Sequence, residues 1–349
     1  MRGNYDKLEN LAEEIERIEK SKQDFIVPHG AMVMEEDDRS LSIKGTGSFS
    51  LTPISHQQIS EKLAIPKRYY DAMEAIPGLR AKNVNSWFGH TPADRKLVRT
   101  LDAKGRAFLS DKFVPFDNFT VMESFLPVMR NFADVEVRSL SLTETKMYVQ
   151  IVFPGMNAEV RPGDVVQAGI TLSNSEVGYG AVDISTLVWR QICSNGLVGQ
   201  SLVSRYHVGK RIQEDAMEMN IFKHDTVRAE IEAFRLRLRD VFEHALTTDV
   251  FEAQVRKFRE IAEDRIDNPI RAVENVTSRY GLSETEREGT MTNLITEGDT
   301  TRWGLVNSIT ALAKSIDNRD RQYQIEQIGY KLVELPAPEW EQLAKGDAA

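Results

Sequence analysis

The sequence predicts an α+β protein: a mostly antiparallel, hairpin-built sheet with packed helices, followed by an α-helical C-terminal region. Three observations carry that prediction. Alternating apolar and polar residues flank short polar turns between residues 36 and 208; a helical spacing precedes them; and from Lys210 onward helical periodicity replaces the strand signal. We divide the 349 residues into an N-terminal amphipathic helix and linker (1–35), an α+β core domain (36–208) and an α-helical C-terminal region (209–349). Single cores stop growing at roughly 250 to 300 residues, so a division is expected.

From Tyr5 to Ser21, Leu8, Leu11, Ile15 and Ile18 recur at steps of three and four, the mark of an amphipathic helix docked on its own domain, with dimerisation as the alternative. Leu41 to Lys44 and Ser48 to Leu51 flank Gly45-Thr46-Gly47 as two short strands. Ser55 is placed to cap a helix carrying Ile59 and Leu63, and Pro66 opens a second with Tyr69, Tyr70 and Met73. This pair has the outline of a helix-turn-helix, an outline many helical hairpins share. Leu79 to Phe88 reads as a further helix. A hairpin follows around Ala103-Lys104-Gly105, then a helix capped by Asp117 through Phe125, Val128 and Met129. Residues 135–153 form a hairpin bent at Thr143 and Glu144, and Asp164 to Leu172 a strand. Asp183 then reads as an N-cap, with Ile184, Leu187, Val188 and Ile192 on one helical face and Asn195-Gly196 closing the helix. Six helical segments follow, Thr226 to Ala245, Phe251 to Ile266, Ile270 to Tyr280, Glu284 to Thr296, Arg302 to Ile316 and Gln322 to Val333.

No enzyme can be assembled from these residues. Gly209-Lys210 is followed by Arg211 and lacks the earlier glycine of a phosphate loop, and Gly178-Tyr179-Gly180 lacks the third glycine of a dinucleotide fingerprint. The histidines (29, 56, 90, 207, 224, 244) never fall at a metal-ligand spacing, so neither metal nor cofactor is expected. Cys193, the single cysteine, excludes an internal disulfide and reads as a packed small hydrophobe beside its predicted helix. No run of about 18 apolar residues predicts a membrane span. The acidic N-terminal stretch lacks a signal-peptide pattern, which makes the cytoplasm the expected location.

Charge is unevenly placed. The net charge is -9, yet residues 51–106 hold ten basic against five acidic side chains, and residues 251–300 hold seven against eleven. The basic run Arg80, Lys82, Arg95, Lys96, Arg99, Lys104, Arg106 and Lys112 is interleaved with Trp87, Phe88 and Phe108, and Arg205, His207, Lys210 and Arg211 add a second cluster. Cations for phosphates and rings for bases are what single strands require. Aromatics packed in hairpins, with cations guarding a sheet edge, account for the same pattern. The loop from Ser173 to Gly180 offers Asn174, Ser175, Glu176 and Tyr179 to a ligand, or makes a tight turn.

The ordered series SHQQISEKLAIPKRYYDAM, NVNSWF, RTLDAKGRAFLSDKFVPFDN, ITLSNSEVGYGAVDIS with RQICSNGLV, and RWGLVNSITALAKS resembles the phage/plasmid-like proteins catalogued as domain of unknown function 932, over roughly residues 41–333. That resemblance implies a gene carried by mobile elements and supplies no activity. By analogy with accessories of such elements, it points to non-enzymatic binding of single-stranded DNA in recombination or annealing. Two alternatives stand beside it: a host-interaction or regulatory protein that binds a protein partner, or itself, through its acidic helices, and an enzyme whose site, built for instance on Glu176 and His207, one sequence does not display.

Overall fold

The computed structural model describes residues 7–132, 134–192, 194–205 and 224–345. It is an α+β protein built on two sheets. The N-terminal helix α1 (Leu8–Ser21) is followed by strands β1 (Gln23–Pro28), β2 (Met32–Met34), β3 (Ser40–Ile43) and β4 (Gly47–Leu51). Helices α2 (Pro53–Lys62), α3 (Lys67–Ala72) and α4 (Leu79–His90) lead to the hairpin β5 (Arg95–Leu101) and β6 (Lys104–Ser110). The first sheet has the order β1-β5-β6-β4-β3-β2, antiparallel except for a two-residue parallel pairing of β4 with β6. Two of its strands, β1 and β2, lie in the segment assigned from sequence to a linker; they are short, and their apolar runs Phe25-Ile26-Val27 and Met32-Val33-Met34 do not alternate with polar residues, so no period shows.

Met32, Met34, Leu41, Ile43, Val98 and Phe108 line one face of this sheet and pack on Ile59, Tyr70, Val84 and Phe88 of α2–α4. Thr52, not Ser55, caps α2: its hydroxyl accepts the Ser55 N–H at 3.3 Å, while the Ser55 hydroxyl donates to the Gly105 carbonyl at 2.7 Å. The cap falls there because Pro53 begins the helix two residues before Ser55. The edge strand β2 is closed by Asn85 of α4, whose side-chain amide takes the Met34 N–H and gives to its carbonyl, both at 2.8 Å.

Helix α5 (Asn118–Met129) precedes the second sheet, a five-stranded antiparallel meander of β7 (Glu136–Leu142), β8 (Met147–Arg161), β9 (Asp164–Asn174), β10 (Val182–Arg190) and β11 (Asn195–Arg205). Residues 182–190 are therefore a strand and not the helix expected from Asp183 onward. β10 is paired on both sides, by β9 and β11, and both its faces are covered, so its apolar run does not alternate and imitates a helical stripe. Asn195-Gly196 opens β11 instead of closing a helix.

Leu11, Ile15 and Ile18 of α1 join Val121, Phe125 and Val128 of α5, and Phe234, Leu238 and Phe242 of α6 (His224–Ala245), over Val149, Ile151, Ile170 and Leu172 of this sheet. Helices α7 (Thr248–Glu263), α8 (Pro269–Tyr280), α9 (Glu284–Glu297), α10 (Arg302–Thr310, extended by a 3-10 turn at Ala311–Ser315), α11 (Arg319–Val333) and α12 (Ala337–Lys345) complete the chain. Their core, centred on Phe258, Trp303 and Ile325, continues onto Val166, Val188 and Leu197 of the sheet. Polar links fasten the two together. Asp164 accepts Arg190 Nε at 2.6 Å and Trp303 Nε1 at 2.8 Å, and Arg190 Nη1 reaches Glu297 at 2.9 Å.

Candidate functional site

The basic hairpin and the Ser173–Gly180 loop do meet, and they meet inside the protein. Arg99 of β5 is fully buried; its Nη1 and Nη2 donate to the two carboxylate oxygens of Asp117, each at 2.8 Å, and its Nε donates to Asp24 at 2.9 Å. Arg99 Nη1 also reaches the Glu176 carbonyl at 2.7 Å. Arg106 of β6 donates to the Glu176 carboxylate at 2.5 Å, and the other Glu176 oxygen accepts the Asn118 N–H at 2.8 Å. That bond supplies at the first residue of α5 the anion that Asp117, turned toward Arg99 and Lys22, does not give its own helix. Asn174 Nδ2 bonds the Phe116 carbonyl and Asn118, and the Ser175 hydroxyl reaches the Thr145 carbonyl at 2.7 Å.

This loop is thus a clasp between the two sheets. Gln58 completes it: its Oε1 accepts the Phe108 N–H of β6 at 2.8 Å and its Nε2 donates to the Val177 carbonyl at 2.7 Å. Gly178 holds a φ of +81°, and a β-carbon there would stand 2.8 Å from Leu109 Cδ2. The glycine serves close docking of loop on hairpin. Burial by itself would raise the Asp117 pKa, but the charge and hydrogen bonds of Arg99, joined by Lys22, outweigh it and hold the carboxyl well below its usual range.

Arg80, Arg99 and Arg106 accordingly leave the set of side chains offered to a nucleic acid. Arg80 is buried under α3, with its guanidinium on the carbonyls of Tyr70 and Asp38 and on Glu74. Asn174, Ser175 and Glu176 likewise leave the ligand-loop set, because each is buried and spends its polar atoms on the protein; Tyr179 is half-buried beside Leu109 and Val177. An enzyme centred on Glu176 loses its support as well, since both carboxylate oxygens are engaged.

The exposed remainder is smaller. Lys82, Arg95, Lys104 and Lys112 are exposed and Lys96 half-buried, and none of the five makes an ion pair among the described residues. Trp87 is 41% exposed, with its ring edge-on to His90 at 6.0 Å between centroids. The chain turns back just beyond: the Thr91 N–H bonds the Trp87 carbonyl and the Asp94 N–H that of Thr91. Arg95 and Lys96 then begin β5, and Lys96 pairs in register with Ser110, two residues before Lys112. Arg95, Lys96 and Lys112 thereby lie at one end of the hairpin, shortly after the Trp87–His90 turn in the chain, and Lys104 lies at the other. His90 stands outside the candidate residues of the sequence, and its signal there is its three-residue helical spacing from Trp87. Arg205 ends β11; Cys193, His207, Lys210 and Arg211 lie outside the described residues.

A second polar assembly lies outside the candidate residues read from the sequence. Cross-strand rows Tyr148–Ser173–Asp183 and Gln150–Thr171–Ser185 share one face of the second sheet, and α11 covers them. Tyr148 gives its hydroxyl hydrogen to Asp320, the Tyr323 hydroxyl donates to Asp183 at 2.8 Å, and Gln150 Nε2 donates to Glu326 at 2.6 Å. Burial pushes the Glu326 carboxyl up to about 7, against the opposing pull of Arg319 and the Gln150 hydrogen bond. The signal was present: Ile325, Ile328, Gly329 and Tyr330 surround Glu326 on a helix with buried residues on most sides.

No group of three or more His, Cys, Asp or Glu able to hold a metal occurs among the described residues. Nor does any helix among them have the length and apolarity to cross a membrane. A family model described as "Domain of unknown function (DUF932)" matches residues 108–328. No curated protein and no solved structure matches the chain.

Proposed function

The chain belongs to the DUF932 family, whose description assigns no activity, and from the chain's own surface we propose that it binds single-stranded DNA without catalysis at the Trp87 end of the β5–β6 hairpin. The carrying observation is the exposed Trp87, edge-on to His90, at the end of the hairpin where Arg95, Lys96 and Lys112 leave the sheet unpaired with acids. A large indole kept partly out of the core is a ready platform for a base, and the three cations supply phosphate contacts. The resemblance to phage- and plasmid-encoded proteins extends the proposal to recombination or annealing in the cytoplasm of a cell carrying such an element.

Titration of a fluorescent single-stranded oligonucleotide at several salt concentrations tests it. Three phosphate contacts give a slope of log affinity on log salt of about -2. Absence of binding at low salt rejects the proposal.

A second reading rests on a different observation. Ile295 is 72% exposed on the acidic α9, and Ile270 on the neighbouring α8 is 60% exposed, which favours a protein partner or self-association there. Sedimentation of the purified chain with and without the oligonucleotide separates the two: concentration-dependent assembly that Ile295→Glu abolishes supports this reading.

A further inference from the structure

We infer that the first half of α11 is a proton-linked latch on the second sheet, firmly seated while the Glu326 carboxyl holds its proton and loosened when that proton is lost. Helices that dock on sheets do so through apolar stripes. Here the seat of the first half of α11 is mixed: beside Val152, Leu187 and Val198, which pack on Tyr323, it sets Tyr148, Gln150, Thr171, Ser173, Asp183 and Ser185 below, and Arg319, Asp320, Tyr323 and Glu326 above, the last three residues of that set spaced to face the sheet.

Glu326 is 4% exposed, and the hydrogen bond it receives comes from a neutral amide, that of Gln150. A carboxylate with no cation bonded to it is expensive to bury, so the neutral acid is the form this seat accepts. The nearest candidate counter-ion, Arg319, does not close on it. The Arg319 guanidinium lies over the Tyr148 ring at 5.6 Å and gives Nη1 to Gln322, while its Nε and Nη2, like the Thr171 hydroxyl beneath, are buried without a hydrogen-bond partner among the described residues. The seat is therefore incompletely satisfied and sensitive to one proton.

The charged and titratable groups around Glu326 have other occupations. On α11 itself, Asp320 accepts the Tyr148 hydroxyl, and the Tyr323 hydroxyl donates to Asp183 of β10. Lys146, before β8, lies over the Tyr148 ring at 5.9 Å. From the helices packed on α11, Arg302 of α10 holds the carbonyls of Leu332, Val333 and Leu335 at its far end, Lys257 of α7 pairs with Glu334, and Lys314 of the 3-10 turn is exposed.

The sign follows. With the carboxyl at about 7 when seated and near its ordinary value when released, seating is strongest below the released value and is lost as pH rises through the seated one. Seating weakens roughly tenfold between pH 6 and pH 8. Hydrogen exchange corrected for the intrinsic pH effect measures this on the intact chain. The latch predicts that amides of residues 319–330 lose protection by about that factor, that those of β5 and β6 do not, and that Glu326→Gln removes the dependence. Protection independent of pH, a dependence retained in Glu326→Gln, or a loss shared equally by β5 and β6 overturns it. Carbon-13 titration of the Glu326 carboxyl in the wild-type chain stands apart from the variant's folding: a midpoint near that of a free glutamate refutes the latch.

Discussion

The Glu176 carboxylate stands 2.5 Å from Arg106 Nη1, and both side chains are buried between the hairpin of the first sheet and the loop that leaves the second. The pair makes a loop that looks like a binding element into an internal fastener. Removing either charge strands the other in a place that water does not reach.

Glu176→Ala is accordingly expected to lower the unfolding free energy by about 3 to 5 kcal/mol. Urea denaturation measures it. A loss under about 1 kcal/mol, the range of exposed pairs, contradicts the fastening role.

Asp117 sets an acid limit on the fold. Its folded-state pKa lies below its unfolded value, so its contribution is fully present above the unfolded value and disappears as pH falls through the folded one. Glu286, held at about 2 by the hydrogen bonds and charge of Arg321 against the effect of burial, acts in the same direction. Stability should decline from about pH 5 downward, and Asp117→Asn should be less stable at pH 7 and show a flatter acid decline. Equal acid slopes in the two proteins contradict the assignment.

Gly178→Ala introduces a side chain at a positive φ and toward Leu109. The expected cost is about 1 to 3 kcal/mol, read as a drop in the thermal midpoint. Gly281→Ala is a useful control, because its φ is also positive, at +63°, yet a β-carbon there meets nothing within 4 Å. It should cost less.

Trp87→Ala separates binding from folding. Trp87 is 41% exposed, so its truncation should lower the unfolding free energy by about 1 to 2 kcal/mol, short of the about 3 to 5 kcal/mol of a fully buried ring. Single-strand affinity should fall by about 1 to 3 kcal/mol if a base stacks there. Arg95→Ala should instead reduce the salt slope. Unchanged affinity in both variants excludes this end of the hairpin.

The sequence by itself determined α6 to α11 of the C-terminal region, the amphipathic α1 and three of the hairpin strand pairs: α1, α7 and α8 have one solvent face and one buried face and so write their period into neighbouring residues, and the hairpins are announced by the polar turns at their bends. It also marked where charge and aromatic rings concentrate. Tertiary structure decided what those residues do. Arg99 and Arg106 differ from Arg95 by nothing local; a loop some 70 residues away brings Glu176 over them and leaves Arg95 in water. The same holds for β10, which is a strand because β9 and β11 flank it, and for Glu326, whose neighbours Gln150 and Thr171 come from strands far along the chain. Periodicity is a short-range property of the chain, whereas burial and ion pairing are fixed by which distant segments meet.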